Sequence, residues 1–234
     1  MTVKLGFADA GEVADLAAFL ARLIHYDRSA AVRLQAGGGA LAVFGRPPAF
    51  EVLAIRTVRL DAVVELDVTV SAGELLEALD EPASAVVVPS SVTGPPWAGV
   101  LPPRGGWSRL PGLPSVSEIR GAVGAAVAEF RARDEALPEP SRTRAERDRI
   151  GREIWSRTLG VTEVPLRVVH AAQSLGFLRG GGELALLGAG PWLRLRTPYG
   201  SVAVRRVGAG ELDVTVSAGE LLEALDEPAS AVVV

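Results

Sequence analysis

The 24 residues 65–88 recur without a single change as residues 211–234. An old duplication keeps the pattern of buried and exposed positions while individual residues drift, so complete identity indicates an engineered duplication, a recent recombination or an assembly error. A functional repeat kept by selection is the remaining alternative. Two copies that begin 146 residues apart do not make a solenoid, which needs several adjacent repeats. The chain therefore encodes the same strand, capped helix and strand twice.

Only the first copy is preceded by strands with which it can form a sheet. The second copy must pair with an exposed sheet edge, replace its twin in the same chain, replace the twin in a neighbouring molecule by a domain swap, or stay loose. We expect residues 211–234 to be a duplicate that the core does not need.

The composition excludes several classes of protein. A chain of 234 residues buries roughly 70% of its unfolded surface, so it needs no disulfide or structural metal to hold a core. With no cysteine and only His25 and His170, thiol chemistry and the usual Cys/His zinc sites are excluded. We predict no metal site and no cofactor. Lys4 is the only lysine and asparagine is absent, which is typical of a high-GC bacterium.

Charge divides the chain into unequal parts. Residues 1–88 hold 7 basic and 12 acidic side chains, residues 89–210 hold 17 and 10, and residues 211–234 hold 6 acidic side chains and no basic one. This asymmetry predicts a domain over 1–88, a linker or functional loop over 89–114, a second domain over 115–210 and the duplicate tail. The acidic start and the lack of a long apolar run predict a cytoplasmic protein without membrane contact.

The first domain has the pattern of an α+β fold. Apolar residues at helical spacing predict a helix over about 10–25, followed by strands at about 30–35, 39–45, 50–59 and 63–70. Ser71 and Glu74 form a capping box before a short helix. We predict a small antiparallel meander sheet with covering helices.

The second domain is predicted to be mostly helical and to end in a β-hairpin. Capping boxes at Ser115 and at Thr143 begin two helices, and Pro165 begins a third that Gly176 ends. A strand at 183–187 precedes the hairpin of residues 191–197 and 201–206.

Residues 89–114 contain seven prolines and five glycines, together with Trp97, Arg104 and Trp107. A segment this long is usually a linker or a functional loop, and large apolar side chains are uncommon in solvated linkers. The tryptophans could anchor an arm that binds a partner, or they could fold back and seal the junction between the domains.

The hairpin carries the strongest candidate for binding. Alternation places Trp192, Arg194 and Arg196 on one strand face, with Tyr199 in the turn and Arg205 on the paired strand. Arginines beside aromatic rings on a projecting hairpin suit phosphate contact with stacking. The alternative is a sheet edge protected by charge. In the order of its helices and hairpin alone, the region 142–206 resembles a winged helix.

The helix predicted over 142–158 carries six arginines, which indicate either a basic stripe for nucleic acid or an ion-paired face. Acidic residues stand four positions away from most of them, as in Arg144 with Asp148 and Glu153 with Arg157. Each such pair stabilises a helix by roughly 0.2–0.5 kcal/mol. The spacing therefore favours a solvated, ion-paired face.

The sequence offers no catalytic residue. His25 closes a helix, where its charge complements the helix dipole, and His170 has the spacing of a packed helix residue. Neither has a nucleophile or phosphate-binding motif beside it. A site assembled from distant carboxylates would leave no linear signature.

We therefore predict a non-catalytic, cytoplasmic binding or scaffold protein whose partners are proteins, itself included. The alternative is a nucleic-acid-binding regulator that uses residues 142–206, and an enzyme is the third reading.

Overall fold

A computed structural model describes residues 3–95, 97 and 100–206. The second copy of the repeat, 211–234, lies outside the described residues. The fold is α+β, with antiparallel sheets and a C-terminal hairpin, as predicted. Its helices are α1 (Ala10–Tyr26), α2 (Ala72–Glu77), α3 (Val116–Glu135), α4 (Arg144–Trp155) and α5 (Leu166–Ser174).

The strands form one large sheet and one small one. The large sheet has the order β5-β2-β3-β4-β11-β10-β9-β8 and the small one has the order β1-β7-β6. The strands are β1 (Lys4–Gly6), β2 (Ala31–Gly37), β3 (Ala40–Gly45), β4 (Leu53–Arg59), β5 (Leu66–Ser71), β6 (Leu79–Asp80), β7 (Ala85–Val87), β8 (Ser108–Leu110), β9 (Ala185–Ala189), β10 (Trp192–Thr197) and β11 (Gly200–Arg205).

The large sheet is continuous across the predicted domain boundary. Strand β4 pairs with β11, with Leu53 opposite Ala203 and Ile55 opposite Ser201. The segments 1–88 and 115–210 therefore share one hydrogen-bonded sheet, and a single hydrophobic cluster includes residues from both.

Strand β5 lies at the edge of this sheet, beside β2. A simple meander would have placed it beside β4, the strand that precedes it along the chain. One edge of β4 is taken by β3 and the other by β11, so the next strand cannot pair with β4 and instead joins the sheet beside β2. The meander therefore consists of β2-β3-β4, and β5 is added beside β2, on the side away from β4.

The hairpin β10-β11 does not project from the fold, which corrects the expectation from the sequence. Strand β10 pairs with β9 as well as β11, and β11 pairs with β4, so both strands lie inside the sheet. The hairpin is therefore neither a wing nor a sheet edge. The edge on the hairpin's side of the sheet is β8, which comes from the Pro/Gly-rich segment and ends before Pro111. Proline has no backbone N–H to donate to a ladder.

Local sequence signals begin the helices where they were expected. The side chain of Asp9 accepts a hydrogen bond from the Glu12 amide at 3.1 Å, which caps α1. Ser115 and Glu118 make both bonds of a capping box at α3, and Thr143 caps α4. Gly176, with φ +72°, follows α5 in the left-handed conformation that favours glycine.

The helices cover one face of the large sheet. Helix α1 buries an apolar stripe of Val13, Leu16, Phe19, Leu20 and Leu23. The sheet contributes the alternating residues Leu34, Val43, Leu195 and Val202 to the same core. Among the described residues, no helix has the length and apolar character that a membrane span requires.

Removal of residues 211–234 should leave a folded protein, because the described strands and core are complete without them. We expect the truncated chain to keep a single cooperative thermal transition near that of the full chain, measured by calorimetry. The matched control removes residues 65–88, the same sequence at the other position, and should abolish the transition. A truncation at 210 that melts without cooperativity would show that the second copy belongs to the core.

Candidate functional site

The face of the large sheet opposite the helices carries a second, smaller hydrophobic cluster. We call this side the outer face. Its buried members are Phe44, Leu53, Ile55, Trp97, Trp192 and Ala203. No helix is part of this cluster, and the Pro/Gly-rich segment supplies its cover.

Trp97 folds back onto the sheet and is only 8% exposed. The chain before it lies close to the strands, since a Cβ at Gly94 would stand 2.6 Å from Thr69 Cγ2. The Val100 amide bonds back to the Trp97 carbonyl at 3.1 Å. This placement is the one that the sealing interpretation of the tryptophans requires.

Trp107 is the more accessible of the two tryptophans in this segment. Its ring is half-buried against the outer cluster, and its Nε1 donates to the Pro103 carbonyl at 3.0 Å. This bond closes a short turn that leaves Arg104 exposed. Trp107 therefore presents a ring in a fixed position, three residues along the chain from the exposed Arg104.

Arg194 lies half-buried on the outer face, between Ser201 and Trp107. Its Nε donates to Ser201 Oγ at 2.8 Å, and its Cζ lies 5.7 Å from the centre of the Trp107 ring. Burial lowers the pKa of the Arg194 guanidinium, and the positive charge of Arg196 lowers it further. Within the described part of the chain, no carboxylate lies within 4 Å of Arg194.

Several other arginines are matched by acids. Arg56, only 5% exposed, bonds to Glu12 at 3.0 Å and to Asp15 at 3.1 Å. Arg33 pairs with Asp67 at 2.7 Å, and other pairs are Arg109 with Glu183, Arg179 with Asp15 and Arg206 with Glu163. Arg194 is not paired in this way: like Arg22 and Arg167, it is partly desolvated with no carboxylate within 4 Å among the described residues.

Five of the predicted binding residues come together in one region. We define the Arg–Trp face as Arg104, Trp107, Arg194, Arg196 and Arg205. Arg196 is exposed, two residues along β10 from Arg194, so both project from the outer face. The Arg205 Cζ lies 5.2 Å from the centre of the Trp192 ring. Trp192 is 4% exposed and supports this face from below.

Tyr199 is not part of this face. It packs against the main core, and the Arg179 guanidinium carbon lies 4.3 Å from the centre of its ring. The hairpin turn that carries Tyr199 is at the far end of β10 from Trp192, and so the ring is remote from Trp107. The structure separates this candidate from the others.

Helix α4 presents an ion-paired surface with helix α3. Arg144 and Arg149 on α4, and Arg157 just after its end, pair with acids of α4 three or four residues away. Pairs between the two helices, which the sequence spacing did not reveal, are Arg133 with Glu153, Arg147 with Asp134 and Arg157 with Glu129. Hydrogen bonding from Arg133 lowers the pKa of Glu153 to about 2, and Arg157 adds to the effect.

His170 is a core residue, as its helical spacing predicted. It is 1% exposed and stacks on Trp155, with ring centres 4.2 Å apart, while Phe50 meets it edge-on at 5.1 Å. Neither ring nitrogen has a hydrogen-bond partner among the described residues. Burial lowers the pKa of His170 to about 4, so the ring is neutral at physiological pH.

The sequence reasoning missed the buried charge network around Arg56. This residue lies on the core side of β4, between Ala54 and Val58, where alternation leads one to expect an apolar side chain. The signal was available, because an arginine at a core position requires acidic partners. Glu12 and Asp15 on α1 are three residues apart and face it together.

A groove of about 410 Å³ lies beside β8, between residues 109–113 and 184–186. Its lining is leucine, alanine, proline and glycine, apart from Arg109. Neither a carboxylate nor an imidazole lines the groove, so it offers no group for acid–base chemistry. Among the described residues, no cluster of His, Asp and Glu could hold a metal ion.

Comparison with known families gives two matches. Residues 1–99 match a domain of unknown function, DUF8010, and residues 102–209 match another domain of unknown function, DUF8185. The matches meet within the Pro/Gly-rich segment. The first includes residues 65–88, whereas residues 211–234 lie beyond the second. No curated protein and no solved structure matches the chain.

The buried His170 predicts a pH dependence of stability. Its pKa is about 4 in the folded chain and about 6.5 when unfolded, so the unfolded chain takes up a proton first as the pH falls. The folded chain should lose about 3 kcal/mol of unfolding free energy between pH 7 and pH 4 through this residue. The variant His170→Phe should lose correspondingly less in urea titrations at the two pH values. If both proteins lose the same unfolding free energy between the two pH values, protonation of His170 does not destabilise the folded chain and this prediction is wrong.

Proposed function

We propose that this chain is a cytoplasmic, non-catalytic binding module whose Arg–Trp face binds an acidic segment of a protein partner. The observation that supports the proposal is the half-buried guanidinium of Arg194, which has no carboxylate partner in the described part of the chain. By contrast, Arg33 on the same face of the sheet is paired with Asp67, and the more deeply buried Arg56 is paired with Glu12 and Asp15. An external carboxylate would supply the counter-charge that Arg194 lacks.

The geometry suits a carboxylate-bearing chain. A guanidinium presents its donors in a planar fork that matches a carboxylate, and charge-assisted hydrogen bonds are stronger than neutral ones. Because Arg194 Nε is already fixed on Ser201 Oγ, the position of the remaining donors is set before binding. Trp107 beside it offers apolar surface for the stem of a glutamate side chain. Arg196 and Arg104 provide further exposed cations.

A protein partner is favoured over nucleic acid by two features of the surface. The arginines of α4 that suggested a basic stripe are largely tied to glutamates and aspartates of α3 and α4. Trp97 and Trp192 are buried, which leaves Trp107 as the accessible indole of the outer cluster. Nucleic-acid binding depends on many phosphate contacts and on stacking of successive bases, and the face offers little for either.

The test is binding of a fluorescent oligoglutamate peptide to the full chain at low salt, followed by anisotropy. The double variant Arg194→Gln and Arg196→Gln should weaken binding by about tenfold or more, because it removes two charge-assisted contacts. The control is Arg144→Gln and Arg149→Gln on α4, which removes the same charge from a different surface. It should leave the affinity within about twofold of the original.

Two results would contradict the proposal. The first is equal weakening by both double variants, which would mean that oligoglutamate senses only the net charge. The second is binding of random duplex DNA with a steep salt dependence that the outer-face variant removes, while oligoglutamate does not bind. That result would favour the nucleic-acid-binding alternative.

A further inference from the structure

We propose that the acidic segment 211–234 binds the Arg–Trp face of its own chain and competes there with external acidic ligands. The inference extends the proposed function, because it names a regulator of the same surface. It depends on three observations: the charge of the segment, the point at which the described chain ends, and the distance to the place that the identical segment 65–88 occupies.

The charges are complementary. Residues 211–234 hold six acidic side chains and no basic one. The Arg–Trp face presents Arg104, Arg194 and Arg196, for which the described residues provide no carboxylate within 4 Å. Since Arg194 is partly desolvated, an acid that reaches it interacts in a medium of lower dielectric constant than bulk water.

The described chain ends beside this face. The Arg206 amide donates to the Pro191 carbonyl at 2.8 Å, and Arg205 is paired with Trp192. Trp192 is two residues before Arg194 on the same strand, β10. Only residues 207–210 separate Arg206 from the acidic segment. A linker this short gives the segment an effective concentration of the order of millimolar at surfaces within its reach.

The second copy, residues 211–234, cannot take the position of residues 65–88 in the same chain, because the connection from residue 206 is too short. One row of paired residues runs across the sheet from Ser201 through Ile55, Phe44 and Arg33 to Thr69, which is four strand spacings. Arg206 lies five residues after Ser201 along the chain, and residue 65 lies four residues before Thr69. Because β11 and β5 run parallel, these two offsets point in opposite directions along the sheet and add together. The two points are ~28 Å or more apart, even with the twist of the sheet included. The five peptide units from residue 206 to residue 211 span at most ~18 Å.

A second molecule is a poor acceptor for the segment. Its own residues 65–88 fill the place with six paired positions on β2 and with the buried side chains Val70, Ala72, Leu75 and Val86. The incoming copy is identical and offers no additional contact, while the resident copy is covalently attached at both ends. The resident copy therefore wins by effective concentration, and the outer face of the same chain is the favoured site.

The absence of cysteine allows a direct test in the full chain. A nitroxide attached through Ser217→Cys should broaden the indole N–H signal of Trp107 in an ¹⁵N-labelled protein, because the label lies within the bound segment. The Trp155 signal should stay sharp, since that ring packs against His170 in the helical core. The sample is diluted into unlabelled protein, so that only contacts within one chain contribute.

Charge variants and a mixed sample provide the controls. Adding Arg194→Gln and Arg196→Gln should restore the Trp107 signal, whereas Arg144→Gln and Arg149→Gln should not. A mixture of ¹⁵N protein without nitroxide and nitroxide-labelled protein without ¹⁵N should show no broadening. Broadening that appears mainly in this mixture would place the segment on a second molecule and overturn the inference, as would a Trp107 signal no broader than that of Trp155.

The outcome separates this inference from the proposed function. If Trp107 broadens but no version of the chain binds oligoglutamate, the proposed function fails and the internal contact stands. If oligoglutamate binds and the Trp107 signal stays sharp, the internal contact fails and the proposed function stands. When both hold, neutralising the six acids by Glu→Gln and Asp→Asn changes within 211–234 should raise the affinity for oligoglutamate several-fold.

Discussion

The structure depends on the pairing of β4 with β11. This ladder of three residue pairs joins Leu53, Ala54 and Ile55 to Ala203, Val202 and Ser201, and it brings together segments that are about 150 residues apart in the chain. It fills the second edge of β4 and thereby sends β5 to the edge beside β2. It also creates the outer cluster, because Leu53 and Ile55 of β4 meet Trp192 and Ala203 of the hairpin there. Without this ladder the Arg–Trp face would have no apolar base.

Both sides of this sheet carry partly buried arginines. On the helical side, Arg56 is deeply buried, but two carboxylates of α1 neutralise it, and Arg179 extends the network to Asp15. Such a network ties the first helix to the chain after α5, since loss of any partner would leave a desolvated charge. On the outer side, Arg33 is paired with Asp67, whereas Arg194 is partly desolvated with no carboxylate within 4 Å among the described residues. This half-buried charge, together with the Trp107 ring and the exposed Arg196 beside it, is the physical basis for regarding this face as a binding surface.

Local structure could be predicted from the sequence, but long-range pairing could not. Ser71, Ser115 and Thr143 each fix a helix start through a bond to a residue three positions away, and alternation identified the faces of β10. The partners of a strand are not contained in its alternation, so the position of the hairpin inside the sheet was missed. Arg142 stands four residues before Glu146, a spacing typical of an ion pair on a helix. Its guanidinium instead bonds to the carbonyls of Glu135, the last residue of α3, and of Leu137. The candidate residues were brought together only in part, because burial of Trp97 and Trp192 and the placement of Tyr199 depend on tertiary contacts.

Hydrogen exchange at the β4-β11 ladder tests most directly whether the two segments form one cooperative structure. The amides that bond across it, within residues 53–55 and 201–203, should exchange only through global unfolding. Their opening free energy should then equal the unfolding free energy measured in denaturant and should rise and fall with it among variants. Exchange of these amides at a distinctly lower opening free energy, while the cores of α1 and α5 stay protected, would show that the segments separate and would contradict this account.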